Sequence, residues 1–243
     1  MTSQQLRLNK FLAERLGVSR READDLISAG KVTIDGKPAS LGARIDTSNI
    51  IDKKPRIFCD GKKVSLDTDY LYLAFFKPVG YVCSRRAQGK APTLYNLLPK
   101  KYYKLKTVGR LDKDSSGLIL LTNDGDFAFQ MTHPKFRKNK IYEVELNRPL
   151  EPLHQQIISN HGVMLDDGPS QFKVINDTLS NTPNLYTVIL TEGRNRQIRR
   201  TFSALGYKVI KLHRIQFGKY ELGDLKPGEL DRKSTRSELQ SRN

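Results

Sequence analysis

Apolar residues recur at helical spacing before about residue 30 and in strand-length runs after about residue 70, and this change of period constrains the fold most. Leu8, Phe11, Leu12 and Leu16 mark a first helix that Gly17 stops. Ser19-Arg20-Arg21-Glu22 is a capping box opening a second helix, with Ala23, Leu26 and Ile27 inward and Gly30 as the stop. Val32–Ile34 then meets Asp35-Gly36, a hairpin signal. Beyond residue 70 the runs Tyr70–Phe76, Ile119–Thr122, Ile141–Leu146, Phe172–Ile175, Tyr186–Thr191 and Lys208–Leu212 have strand lengths. Only Pro152–His161 and Arg196–Leu205 read clearly as helices there. Many strands with few helices predict an α+β fold around a mixed, mainly antiparallel sheet. The expected layout is a small helix-helix-hairpin domain over 6–66, a larger domain over 70–230 and a polar, disordered tail over 231–243. Residues of roughly 60–70 read as the linker, with Asp60-Gly61-Lys62-Lys63 as a turn.

The chain of 243 residues carries 42 Lys and Arg against 26 Asp and Glu, a formal net charge of +16. Charge on that scale attracts polyanions, so nucleic acid is the favoured partner and an anionic membrane the rival. A membrane mode needs an apolar span of about 20 residues or a basic amphipathic helix. Neither is legible. Cys59 and Cys83 cannot build a disulfide framework or a CxxC pair, and the four His lack metal-ligand spacing. Met1–Gln5 has no charged-then-apolar leader pattern, which gives a cytoplasmic expectation.

The first module holds Arg7, Lys10, Arg20, Arg21 and Lys31 around its two helices and first strand. On charge alone these could be a solvated helix face. The segments Arg7-Leu8-Asn9-Lys10-Phe11-Leu12, Ser19-Arg20-Arg21-Glu22-Ala23 and Gly30-Lys31-Val32-Thr33-Ile34-Asp35-Gly36-Lys37 resemble the S-four-like RNA-binding domain. That resemblance implies that the basic residues face structured RNA.

In the larger module, Val108 to Gly125 is the most informative stretch: a loop rich in Asp, Ser and Gly runs into the apolar strand Leu118–Leu121. A carboxylate at the rim of a rigid element suits catalysis. Asp112 and Asp114 could equally be turn formers bonding their own backbone, or an Asp-x-Asp metal site short of further ligands.

Gly109-Arg110-Leu111-Asp112 with Ser116-Gly117-Leu118 resembles the catalytic motif of the RsuA/RluB-type family of ribosomal RNA pseudouridine synthases. Phe76-Lys77-Pro78-Val79-Gly80-Tyr81, Lys140-Ile141-Tyr142-Glu143-Val144, Glu192 to Arg200 and Leu212-His213-Arg214 resemble further motifs in that family's order. The resemblance implies isomerisation of uridine in RNA without a cofactor, with Asp112 as catalytic carboxylate, Tyr142 against the target base and Arg199 as the partner of Asp112. Lys77, Arg110, Arg194, Arg196 and Arg200 are expected to contact RNA. By pattern alone, Tyr142 is equally a core or cross-strand aromatic, and Arg199 an ordinary phosphate contact. The segments Arg85-Arg86, Lys100 to Lys104 and Lys135-Phe136-Arg137-Lys138 could hold surrounding RNA, the last two by interleaving aromatics with charge.

The chemistry fits the residues. The C1′–N1 bond must break and a C1′–C5 bond form within one nucleoside, so no metal, oxidant or group donor is required. A carboxylate can add covalently, stabilise an oxocarbenium-like centre or remove a sugar proton, and must be ionised to do so. Two departures from the family pattern stand out. Asp52 to Arg56 looks like an insertion, and Thr201 replaces a larger apolar residue. Gly162 to Pro169 and Glu192 to Gln197 look closer to enzymes of the large ribosomal subunit, while Gly80 to Ser84 is similar to the small-subunit enzyme. The expected partner is structured ribosomal RNA or an assembly particle, bound by a monomer. A non-catalytic RNA-binding assembly protein and a metal-dependent nuclease are the alternatives from other classes.

Overall fold

The computed structural model describes residues 5–46, 54–66, 69–86, 89–176 and 184–232. The chain divides into two compact units, Met1–Leu71 with Asn123–Gly125 and Tyr72–Thr122 with Asp126–Asn243.

In the first unit, β1 (Gln5–Arg7) leads into α1 (Leu8–Leu16), which ends on Gly17 in the left-handed conformation at φ 72°. Ser19 caps α2 (Arg20–Ser28), and Glu22 returns the bond to the Ser19 backbone N–H at 2.7 Å. β2 (Val32–Ile34) turns through Asp35 and Gly36, both at positive φ, into β3 (Lys37–Pro38). β4 (Arg44–Asp46) pairs with β1, while β5 (Ile57–Cys59) and β6 (Lys62–Lys63) complete a sheet of order β3-β2-β5-β6. Leu8, Phe11, Leu12, Ala23, Ile27, Val32, Ile45, Ile57 and Val64 form its core. Asp60-Gly61 is therefore the β5–β6 hairpin turn rather than linker, and Val64 beyond it is buried. Of the expected insertion, Asp52 and Lys53 lie outside the described residues.

The second unit is built on a nine-stranded sheet. Its strands are β7 (Tyr72–Lys77), β8 (Lys106–Val108), β9 (Ser116–Thr122), β10 (Lys140–Leu146), β13 (Lys173–Asn176), β14 (Leu185–Leu190), β15 (Val209–Phe217), β16 (Tyr220–Glu221) and β17 (Leu230–Arg232). The hairpin β11 (Val163–Leu165) and β12 (Gly168–Ser170) stands apart from it. The helices are α3 (Gly125–Thr132), α4 (Pro152–Gln156), continued by a wide turn over Ile157–His161, and α5 (Gln197–Ala204). The main path runs β13-β14-β10-β15-β9-β7-β17, antiparallel throughout except β9 beside β15, so the mainly antiparallel α+β expectation holds. β9 has every residue after Ser116 buried, which is why it reads as an unbroken apolar run. β10 alternates instead and turns Tyr142, Val144 and Leu146 inward.

The polar tail begins later than expected, because Asp231 and Arg232 pair with Ala74 and Leu73; residues 233–243 lie outside the described residues. Thr201 is fully buried, and its hydroxyl meets Ser170 at 2.7 Å and its own helix at Gln197 O at 2.9 Å. The small polar side chain thus exchanges apolar packing for two satisfied bonds, of which the one to Ser170 ties α5 to β12.

Candidate active site

The loop from Gly109 to Ser115 delivers its carboxylates to the start of β9. Gly109 takes φ 72°, and the Ser115 N–H donates to Asp112 O at 3.1 Å, closing a turn that Asp112 opens and Lys113-Asp114 round. Three contacts pin the turn: Gly80 N–H to Lys113 O at 2.7 Å, Leu111 N–H to Cys83 Sγ at 3.3 Å, and the Lys77 ammonium to Ser115 O at 2.6 Å. A site residue held by such supports keeps its geometry.

Lys77 was expected to touch RNA, and the structure corrects that. Its side chain is 0% exposed, on an inward position of β7, with the ammonium spent on the carbonyls of Ser115 and Pro78 (2.9 Å). Burial lowers its pKa to about 8, opposed by the charges of Cys83, Asp112 and Asp114.

The arginine pairing also differs from the expected one. Arg199 reaches Asp114, not Asp112: its Nη2 donates to Asp114 O at 2.8 Å, its Nε stands 3.4 Å from Asp114 Oδ2, and its Nη1 holds Val209 O at 2.9 Å. Arg196 makes a two-point pair with Asp114, both contacts at 2.9 Å, and its Nη1 lies 3.8 Å from Asp112 Oδ2. The hydrogen-bonded Arg196 guanidinium holds the Asp114 carboxyl below its ordinary range. Asp114 is thus the hub that aims two arginines, and Asp112 has a cation nearby and, among the described residues, no bidentate clamp. Arg196 itself sits at φ 47° as the residue before α5, an uncommon conformation for a side chain of its size.

Arg194 and Arg200 face the β11–β12 hairpin. Arg194 binds Asp167 at 2.7 Å together with the carbonyls of Asp167, Gly168 and Pro169, and Arg200 pairs with Asp166 and with Asp167 at 2.6 Å. These contacts occupy both guanidiniums within the chain, so α5 and the hairpin share one ionic network. Arg110 is exposed at the rim.

Asp112 opens onto a cavity of about 250 Å³, small beside the roughly 300–1,000 Å³ of drug-sized sites and of nucleoside scale. Tyr142, Lys140, Leu190, Leu212, Arg214 and Phe217 line it from the sheet, and Glu192 to Ile198 from the approach to α5. Tyr142 is 7% exposed, so it is both a core aromatic and a pocket wall.

Arg214, Lys140 and Ser115 were not singled out as site residues from sequence. Arg214 is 1% exposed, its Nε donates to Leu118 O at 2.8 Å, and it lies 4.9 Å from the Phe217 ring. Its Nη2 and the Ser115 hydroxyl have no hydrogen-bond partner among the described residues, although both residues line the pocket. Buried donors left open at a cavity wall suit a polar ligand. Burial and the nearby Arg214 charge lower the Lys140 pKa to about 8, against the pull of Glu192. The available signal was position: Lys140 lies two residues before Tyr142 on the same face of β10, and Gly117 pairs with Arg214 across β9 and β15.

In the first unit, Arg7, Arg20, Arg21 and Lys31 are exposed and Lys10 half-buried. Arg20 reaches Asn9 at 3.4 Å, Lys31 stands 3.5 Å from Asp60, and Arg7 lies directly opposite Arg44 in the β1–β4 pair. Like charges facing across strands favour an anion between them. Among the described residues no helix is long and apolar enough to cross a membrane, and no three His, Cys, Asp or Glu side chains cluster as metal ligands.

Comparison with known proteins follows the same two units. Residues 71–204 match the RNA pseudouridylate synthase family model and residues 6–51 match the S4 domain. The chain is 36% identical over 218 residues to the ribosomal large subunit pseudouridine synthase B of Escherichia coli (strain K12), covering 87% of this chain and 73% of that protein. It is equally 36% identical, over 226 residues, to the ribosomal small subunit pseudouridine synthase A of Pasteurella multocida, covering 90% and 91%. The crystal structure of a pseudouridylate synthase superposes with a TM-score of 0.66 at 31% identity, over 97% of this chain and 98% of that one.

Proposed function

The chain belongs to the RNA pseudouridylate synthase family, and from that premise we propose that it isomerises uridine to pseudouridine in ribosomal RNA with Asp112 as the catalytic carboxylate. One observation carries the site reading: Asp112 stands at the rim of a nucleoside-sized pocket walled by Tyr142 and Arg214, with the Arg196 cation 3.8 Å away. The uridine must leave its stack to enter, and an aromatic wall receives a flipped base. Asp112 then acts on the sugar as N1 departs, and the base turns so that C5 meets C1′. The C5 proton passes to N1, so the product has the atoms of the substrate.

Arg196 and Arg199, aimed by Asp114, stand ready for the phosphate beside the target. The first unit docks the RNA through Arg7, Lys10, Arg20, Arg21 and Lys31. The division into a docking domain over 6–66 and a catalytic domain over 70–230 follows from this reading, as do a cytoplasmic, monomeric enzyme and an RNA or assembly-particle substrate. Large-subunit RNA is the favoured target, supported by the Gly162 to Pro169 and Glu192 to Gln197 segments and by the large-subunit relative.

The test has two arms. Asp112→Asn keeps shape and removes charge, so it should abolish pseudouridine formation while RNA affinity stays within about twofold; a variant that still turns over at a comparable rate refutes the assignment. Mapping pseudouridines in the RNA of both subunits, from cells with and without the protein, identifies the uridine. A change confined to small-subunit RNA would replace the large-subunit reading.

A further inference from the structure

The end of α3 and the turn after it carry an exposed aromatic surface with a basic rim that the isomerisation does not use. Phe129, His133 and Phe136 form one cluster, with ring centroids 4.7, 5.8 and 6.4 Å apart in pairs. Phe129 remains 45% and Phe136 36% exposed. The Lys135 ammonium lies 5.2 Å from the Phe129 ring and 4.7 Å from the Phe136 ring. Exposed rings grouped in this way mark binding surfaces more often than isolated apolar residues do.

Backbone bonds hold the rings in place before any ligand arrives. The His133 N–H donates to Phe129 O at 2.9 Å, the Phe136 N–H to His133 O at 3.1 Å, and the Arg137 N–H to Pro134 O at 3.0 Å with Arg137 at φ 45°. His133 Nδ1 accepts from the Lys135 N–H at 3.2 Å. Such an arrangement loses little freedom on binding.

The surface is continuous with the active site. Thr132 and Pro134, set between the rings in sequence, line the Asp112 pocket. From residue 127 to residue 142 the chain has no acidic residue, while Lys135, Arg137, Lys138 and Lys140 are basic. Flat apolar faces beside positive charge, at the mouth of a pocket that takes one base, match the chemistry of the next nucleotide along.

Resting on the RNA-modifying reading, we propose that the Phe129–Phe136 pair, whose rings stand at 89° to each other, holds the unpaired base of a nucleotide flanking the target uridine with one ring face-on and the other edge-on, while Lys135 swings from over the rings to its phosphate. Extraction of the uridine leaves its neighbour without a stacking partner, and the rings replace that partner. Base-on-aromatic stacking tolerates any base, so the platform fixes the path of the strand and leaves choice of sequence to other contacts.

The test couples the protein surface to the RNA base. The probe is a stem–loop fragment carrying the mapped uridine, made intact and with an abasic residue at either flank. Binding to the full-length wild type and to the Phe129→Ala/Phe136→Ala double variant is measured, with melting temperatures as a control. Wild type should bind one of the abasic RNAs about tenfold more weakly, within the range of single-base stacking. The double variant should bind intact RNA more weakly by a similar factor and lose nothing more with that abasic RNA. Losses that multiply as independent effects, or a double variant that binds as wild type does, would overturn the proposal. A Phe129→Leu/Phe136→Leu double variant, apolar but without flat rings, should recover no more than a small part of the loss; full recovery would also overturn the proposal. Conversion of the intact fragment by wild type is scored separately, so failure of the enzymatic reading leaves the binding result interpretable.

Discussion

Gly117→Ala tests how the Asp112 loop is held against the sheet. Gly117 lies just beyond the Asp112 loop at φ +106° and pairs with Arg214 of the parallel neighbour strand. A Cβ built there would lie 2.2 Å from Arg214 O and 2.6 Å from Arg214 N, both backbone atoms that no rotamer change can remove. The unfavourable φ costs about 1–3 kcal/mol, and prying β9 from β15 resembles overpacking, another ~1–3 kcal/mol. Together these give ~2–6 kcal/mol, a fall in Tm of roughly 5–20 °C for a unit of this size. The same displacement shifts Arg214, whose Nε is fixed on Leu118 O at 2.8 Å and whose side chain walls the pocket. A misplacement near 1 Å costs on the order of 100-fold in rate. Melting followed by circular dichroism and single-turnover conversion well below the melting point read the two effects. A Tm within 1 °C of wild type by any order-of-magnitude count of this strain, with normal turnover, would show that the close approach is no constraint.

Four further outcomes follow from the site. Asp114→Asn should lower single-turnover rate only about 2- to 5-fold, since its Arg196 pair is nearly half exposed, whereas Arg199→Ala, which also loses Val209 O, should lose more turnover than affinity; equal and complete loss in Asp112→Asn and Asp114→Asn would instead favour a paired-carboxylate site. Lys77 has a folded pKa of about 8 against 10.5, so between those values the unfolded chain binds more protons and stability rises with pH; the Tm of wild type relative to Lys77→Met should climb from pH 8 to 10, and a flat difference would contradict the burial of that charge. Lys140, also at about 8, is charged below and neutral above that pH, so RNA affinity should fall through pH 8 in wild type and hold to higher pH in Lys140→Arg; identical profiles would remove Lys140 from the RNA contact. Arg20→Gln with Arg21→Gln should weaken RNA binding and reduce the salt slope by about 0.7–0.9 per lost phosphate contact, with turnover on saturated complex unchanged; an unaltered slope would return both arginines to a solvated helix face.

Some of this architecture was legible in sequence because local physics alone decides it. Ser19 and Glu22 cap each other across three residues, and Asp35-Gly36 supplies both positive φ angles of its turn without help from distant chain. β9 was legible for the opposite reason: burial on both faces turns it into an apolar run that needs no periodicity. α3 was not, because Phe127 and Met131 turn inward while Phe129 stays in solvent, which blurs any single apolar stripe. The ion pairs were the least accessible feature. Arg196 meets Asp114 across 82 residues and Arg199 meets Asp114 O across 85, so one rotation of α5 decides which carboxylate each arginine serves. Motif resemblance supplies the presence of an Asp and an Arg but carries no rotation. Lys77 illustrates the same limit from the side of burial. As a basic residue in a basic chain it reads as a phosphate contact, yet its place on β7 turns it under the loop, where the ammonium bridges two carbonyls. Charge composition therefore foretells the partner of this protein better than it foretells which cations meet it, since the cations nearest the chemistry are partly consumed in building the loop that presents Asp112.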